Sequence, residues 1–373
     1  MKYWLLTTEY PPFFGGGIST YCYFTAQMLA EQQHHVTVFI PDDQVSNYEI
    51  VHNGSIRLVK FNKNRAGVSN FLGFVPSLSY EFATIVRDLI RIEGKPDYIE
   101  SQEYLALPYY LLQFKLLGYP EYQDIPVILT LHSPAFLYLL YNREGIHEFP
   151  NYWTGEMEKS CIQSADLVIA PSQYIIDEIK RHTALTLDES RIRVIRNPFI
   201  LPATSFADKS ITRNKIVFFG KLSPQKGVFE MFSYFRDMWD NGFPHALTVI
   251  GGTEKVYYPE MKTMGQLIGD KYKKYFDKGL VTLAGKIHPD QKEAYLSAAH
   301  VILIPSMNDN LPYAAIEAMS IGKVILASIQ GGQHELIEDG VDGFLFDHTV
   351  PGDFEKKLQT NDSILRHMLM RQK

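Results

Sequence analysis

The chain has 373 residues, which favours two domains over one. Hydrophobic residues make up 46% and charged residues 21%, as in a folded soluble protein. A net charge of −6 excludes a general pull toward nucleic acid, and the two cysteines, Cys22 and Cys161, lack metal-type or redox spacing and read as buried thiols of a reducing compartment.

The N-terminal run Lys2–Thr8 is too short for a signal peptide and meets Glu9 at once. No stretch is long and apolar enough to span a bilayer. A cytoplasmic protein is expected, with the inner face of the membrane as the alternative setting. Tyr3–Thr8 predicts a first strand, leading through Gly15, Gly16 and Gly17 into a helix that ends near Glu31. Three glycines at a helix start leave backbone N–H groups uncovered, which suits an anion; a plain flexible turn is the competing reading. It is not a dinucleotide fingerprint, because Thr20 stands where a third glycine would belong.

Strands follow at Val36–Ile40 and Ile56–Phe61. Asn62–Leu78 has little periodicity and is expected to be a mobile loop. A helix from Tyr80 to Glu93 precedes a short strand, Pro96–Glu100. Tyr104–Tyr119 reads as an aromatic helix of the core, with a peripheral membrane face as the lesser reading. Pro126–Leu131 is a buried strand ending in His132, which places that histidine at the carboxyl end of a parallel strand, on the ligand side of the sheet. Asp166–Ala170 and Ile192–Ile195 complete the first half, and Phe199–Arg213 reads as the linker.

The alternation then restarts, with strands at Lys215–Phe219, Ala246–Ile250, Val281–Leu283, Val301–Ile304, Val324–Ala327 and Gly343–Phe346. Two successive runs of strands and helices imply two doubly wound α/β domains, Rossmann-like, facing each other. The expected limits are 1–200 and 201–349, with 350–373 a tail that has room for one or two helices.

The second half carries most of the chemistry. Its first strand ends in Gly220 and is followed by Lys221, Lys226 and Gly227; two cations near a helix start can offset a diphosphate. Solvated surface lysines are the alternative. Further strands end in Gly251–Gly252, in Gly285–Lys286 and in the Gly331–Gly332 loop with Glu335, a set that suits a flat base against exposed backbone. After Ile304 comes a strand–loop–helix segment with Asp309 in the loop, then Asn310, Leu311 and Pro312, and Glu317 in the first turns of the helix. A carboxylate accepts hydrogen bonds from two adjacent hydroxyls, so one acid suits a ribose diol and the other a hexose diol.

These residues resemble the retaining glycosyltransferases of family 4, which have the GT-B fold, and the resemblance runs from Tyr3 to about Asp347. Its most specific part is an acid, seven residues, then an acid: Asp309, usually Glu in the family, and Glu317. Pro312 stands where the family has a glycine turn, and Lys221 where it commonly has Arg. Gly16 and Gly17 match the N-terminal glycine loop, and His132 matches the histidine that faces the donor sugar. Gly220, Lys221 and Lys226 match the phosphate-binding residues, and Gly331–Gly332 with Glu335 match the loop after the penultimate strand.

The resemblance implies transfer from a nucleoside-diphosphate sugar to a hydroxyl acceptor (glycan, glycolipid or protein), with retention. His132, Lys221, Lys226, Asp309 and Glu317 would carry catalysis. Gly16, Gly17, Gly220, Gly251, Lys286, Asn310, Leu311, Pro312 and Glu317 would bind the donor. No metal or other cofactor is expected, and no two Asp residues lie at Asp-any-Asp spacing. Competing readings are an epimerase or phosphorylase of the same fold and a catalytically silent sugar-nucleotide-binding partner. A phosphorylase would need a marked pyridoxal lysine. The silent binder is kept open by the substitutions at Asp309, Pro312 and Lys221.

Overall fold

The computed structural model describes residues 1–11, 16–201, 215–287, 292 and 295–359. The chain divides into two compact units, Met1–Leu140 with Gly145–Ile200, and Tyr141–Glu144 with Leu201–Lys373. Each is an α/β unit built on a parallel sheet.

In the first unit the strands are β1 (Lys2–Leu6), β2 (His35–Pro41), β3 (Tyr48–Asn53), β4 (Ile56–Phe61), β5 (Tyr98–Gln102), β6 (Val127–Thr130), β7 (Leu167–Ala170) and β8 (Ile192–Val194). Their order is β3-β4-β2-β1-β5-β6-β7-β8, and β3 runs antiparallel to β4. The central strands are continuous apolar runs, as a sheet covered on both faces requires, and all four residues of β6 are buried. The order reverses between β1 and β5. The loops after these strands therefore diverge to opposite sides and leave a crevice at the carboxyl ends.

The second unit has β9 (Ile216–Phe219), β10 (Leu247–Ile250), a hairpin of β11 (Val256–Tyr257) and β12 (Lys262–Thr263), then β13 (Val281–Gly285), β14 (Val301–Ile304), β15 (Val324–Ser328) and β16 (Phe344–Phe346). The main sheet has the order β13-β10-β9-β14-β15-β16, all parallel. Its reversal falls between β9 and β14, the two strands that precede the lysine loop and the acid loop. Topology alone thus brings the two motifs side by side.

Two expectations are corrected, and one strand is added. Asn62–Leu78 is not a mobile loop: turns lead into helices Ser69–Leu72 and Phe74–Glu93. The polar stretch is clamped by Arg65, which donates to Asp88 (2.7 Å) and Thr84 (3.0 Å), while the Ala66 amide donates to buried Glu81. Tyr104–Tyr119 is not one helix but a tight turn, Tyr104–Ala106, and a helix, Tyr109–Leu116. Leu105 and Ala106 take φ of 61° and 49°, a left-handed geometry through which a right-handed helix cannot continue. Its rings Tyr109, Tyr110 and Phe114 pack against the core. Strand β3 escaped the sequence reading because its residues are mostly exposed and polar, with no apolar alternation to mark it.

Most of the expected linker lies outside the described residues. Residues 353–359 are helical, with Phe354 and Leu358 in the core of the second unit. Cys22 and Cys161 are free and buried. Among the described residues no helix is long and apolar enough to cross a membrane.

Candidate functional site

In the second unit, three strand-end loops are stitched together through backbone. The Gly220 amide donates to the Ile250 carbonyl (2.9 Å), the Leu222 amide to Gly252 (2.9 Å) and the Gly251 amide to Gly285 (2.9 Å). A Cβ at Gly251 would fall 1.9 Å from the Gly220 carbonyl oxygen, so side chains are excluded by backbone packing. Around Gly252 gather Lys286, Glu254 and Lys221, their atoms 2.8–3.9 Å from where a Cβ would sit. Lys286 lies 3.6 Å from Glu254, and both are largely exposed. Lys221 is exposed and forms no ion pair among the described residues.

The lysine loop meets the acid loop directly. Lys226 pairs with Asp309, and both are mostly shielded from solvent. Gly227 has φ 67°, and a Cβ there would stand 1.8 Å from the Pro305 carbonyl oxygen. Only glycine allows both the turn and the approach. Gln225 completes the seam: its side chain donates to Asn308 (3.1 Å), and its carbonyl accepts from the amides of Met307 (2.9 Å) and Asn308 (3.2 Å). Sequence reading missed Gln225, whose partners lie 83 residues away.

The acid loop is held at its backbone as well. Gln333 donates to the Ser306 carbonyl and to Ser328, and the Gly332 amide donates to the Asp309 carbonyl (2.7 Å). His348 bridges Tyr234 (2.8 Å) and the Pro305 carbonyl (2.9 Å), and burial pushes its pKa down, so it is held as the neutral imidazole. Asn310, Leu311 and Pro312 are buried, and Pro312 opens the helix Tyr313–Ser320. Glu317, within this helix, accepts from Lys292 at 2.8 Å. The two predicted acids are therefore held by different lysines, and only Asp309 meets the lysine loop.

In the first unit, Gly16 and Gly17 open the helix Gly17–Glu31 without a side-chain cap, and both are exposed; Gly15 lies outside the described residues. That helix reaches His132 through Tyr21, whose ring meets the imidazole edge-on at 4.8 Å. The Tyr21 hydroxyl also donates to Glu100 (2.7 Å), which accepts from Tyr3 and Thr130 too. Burial lowers His132 to about 3, so it is neutral at ordinary pH.

Two further acids, Glu103 and Glu158, are wholly buried beneath the loop that follows β6. Glu103 accepts from the amides of His132 and Ser133, and Glu158 from those of Leu105, Ala135 and Phe136. Burial raises them to about 7 and about 8, against the opposing pull of those amides. Neither was foreseen, since an acid whose partners are backbone amides leaves no pattern in sequence. Among the described residues no group of three or more His, Cys, Asp or Glu side chains is arranged to hold a metal ion.

Comparison with known proteins adds to this geometry. Residues 15–201 match the family model described as Glycosyltransferase Family 4, and residues 204–368 match Glycosyl transferases group 1. An uncharacterized glycosyltransferase of Methanocaldococcus jannaschii is 23% identical over 363 residues, covering 95% of this chain and 86% of that protein. Among solved structures, sucrose-phosphate synthase from Thermosynechococcus elongatus superposes with a TM-score of 0.71 at 17% identity, over 99% of this chain and 90% of that one. The Anabaena HepE protein, solved with UDP-glucose, gives 0.64 at 17% identity over 99% and 91%.

Proposed function

This chain belongs to glycosyltransferase family 4, and from that premise we propose that it transfers a sugar from a nucleoside-diphosphate donor to a hydroxyl acceptor with retention at the anomeric carbon. The observation that carries the reading is the meeting of Lys226 and Asp309 where the order of the second sheet reverses, beside the glycine-lined strand ends. A diphosphate needs cations and free amides, and a sugar needs an acid that accepts from its hydroxyls. A cation and an acid stand within one ion pair's length here.

In this reading Lys226 and Lys221 offset the diphosphate charge, Asp309 holds the transferred sugar and Glu317 the ribose. Gly220, Gly251 and Lys286 line the nucleotide. Bond making and breaking share one face: the acceptor oxygen bonds to the anomeric carbon as the bond to the diphosphate breaks. The departing phosphate oxygen takes the acceptor proton. No side-chain general base is then required. A neutral His132 serves as a hydrogen-bonding group rather than a proton shuttle. No metal is needed where lysines and amides carry the charge. The acceptor class is a glycan, glycolipid or protein hydroxyl, in polysaccharide or glycoconjugate synthesis.

The test is release of nucleoside diphosphate from a panel of UDP-, GDP- and ADP-sugars. UDP-glucose comes first, because HepE was solved with it. Release is expected with at least one donor, unaffected by a chelator, and reduced about 100-fold or more in Glu317→Ala or Lys226→Ala. Absence of release with every donor and a broad acceptor pool would favour a silent sugar-nucleotide binder. Loss on chelation that Mn²⁺ restores would refute metal independence.

A further inference from the structure

Beneath the β6 loop of the first unit lies a feature that no motif announced. Glu103 directly follows β5 and its side chain is fully buried. One carboxylate takes both amides that open the next loop. The His132 amide lies 2.7 and 2.8 Å from its two oxygens, and the Ser133 amide lies 2.7 Å from one of them. A buried carboxylate is costly to keep unless such donors surround it, and here two of them belong to the loop that carries the histidine, beside the amides of Glu103 itself and Tyr104. The far end of the same loop is held separately by Glu158, through the amides of Ala135 (2.8 Å) and Phe136 (3.4 Å). The imidazole meets the Tyr21 ring edge-on at 4.8 Å, and fixing the His132 backbone sets where that imidazole can lie.

We propose that Glu103 is the positioning residue for His132, its buried carboxylate fixing the histidine by gripping the His132 and Ser133 amides. This rests on the reading of His132 as a site residue. It assigns to Glu103 no contact with substrate. Both amides reach one oxygen at 2.7 Å, and the His132 amide also lies 2.8 Å from the second. Glutamine keeps one oxygen but loses the charge and turns an N–H donor toward the His132 amide. Aspartate keeps the charge but falls short by about 1.5 Å, one carbon–carbon bond.

The experiment compares wild type, Glu103→Gln, Glu103→Asp and Glu158→Gln by amide hydrogen exchange and by donor turnover. In Glu103→Gln, exchange at the His132 and Ser133 amides is expected to rise at least about 10-fold, with the Ala135 amide far less affected. Turnover number is expected to fall about 10- to 100-fold with the donor KM nearly unchanged. Glu158→Gln removes an equally buried carboxyl and should loosen Ala135 and Phe136 instead, with a smaller loss of turnover. Unchanged exchange at His132 and Ser133 in Glu103→Gln would overturn the assignment. So would loosened amides with full turnover, or equal turnover losses in Glu103→Gln and Glu158→Gln. If Glu103→Gln does not fold, Glu103→Asp decides by the same readings. If wild type releases no nucleoside diphosphate from any donor, the transferase reading fails by itself, and the exchange data still settle whether Glu103 holds the loop.

Discussion

In the second unit, the loops at the sheet reversal close on one another through backbone: glycines stand where a single Cβ would strike a neighbouring carbonyl. In the first unit the corresponding loops are held by side chains, and by buried carboxylates above all. Backbone-on-backbone packing leaves the strand ends without side chains at Gly220 and Gly251, next to the exposed lysines Lys221 and Lys286, which suits a phosphate-bearing ligand. Carboxylate pins leave the surface to whatever side chain the loop presents, here His132. The two halves share an architecture and differ in what their ligand-side loops are made to offer.

The sharpest way to break this contrast is at Gly227. An alanine there would need its Cβ 1.8 Å from the Pro305 oxygen, at a φ of 67° that disfavours side chains. Gly227→Ala is expected to cost about 3 kcal/mol of stability in the second unit and to abolish measurable transfer, because the Lys226–Asp309 pair cannot form with the loops forced apart. Thermal unfolding and donor turnover check both. A variant of wild-type stability and activity would show that close approach at Gly227 is not what sets the site.

Much of the second unit could be read from sequence for the same reason that Gly227 is so sensitive. Glycine after an apolar strand or at a helix start is a visible token of tight backbone packing, and Gly251 and Gly227 stand at such contacts, against the Gly220 and Pro305 carbonyls. Sequence named Lys226 and Asp309 as separate site residues; that they pair follows from a strand order that sequence did not supply. The first unit was less legible. Glu103 and Glu158 are single acids in helical or turn surroundings, and their partners are amides 29 and 23 residues distant. His348 and Gln333 are hidden in the same way, since each serves a carbonyl or hydroxyl belonging to another loop. A side chain that binds backbone leaves no complementary residue to find. The segment Asn62–Leu78 misled because its order comes from an Arg65 clamp, not from apolar periodicity.

The carboxylate pins make a second, more moderate prediction. Burial lifts Glu158 to about 8, with the Ala135 amide pulling the other way and the charge of Glu103 adding to the lift; Cys161 lies alongside, its thiol also pushed up. A carboxyl raised in the folded state stabilises fully below its unfolded value, about 4.5, and loses that contribution as pH rises through the folded value. His132 works in the opposite sense: lowered to about 3, its contribution is full above its ordinary 6.5 and is lost as pH falls. Between roughly pH 6.5 and 8.5 only the acids of this group act. Wild-type melting temperature is expected to decline across that interval, and Glu158→Gln should flatten the decline by a few degrees. An identical slope in the variant would mean that Glu158 does not titrate there. Turnover should show no inflection from His132 anywhere in this interval.

The smallest expected effect sits at Lys221. It is an exposed cation at the second unit's strand ends and, unlike Lys286 beside Glu254, forms no ion pair among the described residues. An ammonium there acts on a diphosphate as a point charge, whereas a guanidinium presents a planar fork that two phosphate oxygens can share. The neighbouring backbone carbonyls at Gly220, Ile250 and Gly252 are already bonded to amides or packed against Gly251, so a new side chain at 221 displaces nothing structural. Lys221→Arg should therefore leave the melting temperature unchanged and tighten nucleoside-diphosphate binding about 2- to 5-fold, roughly 0.4–1 kcal/mol. Titration calorimetry with UDP, GDP and ADP measures it. A loss of affinity would mean that the site is shaped around the compact ammonium. No change would place Lys221 outside the phosphate site and leave Lys226 to hold the charge, narrowing the contrast between the two units to the backbone contacts at Gly227 and Gly251.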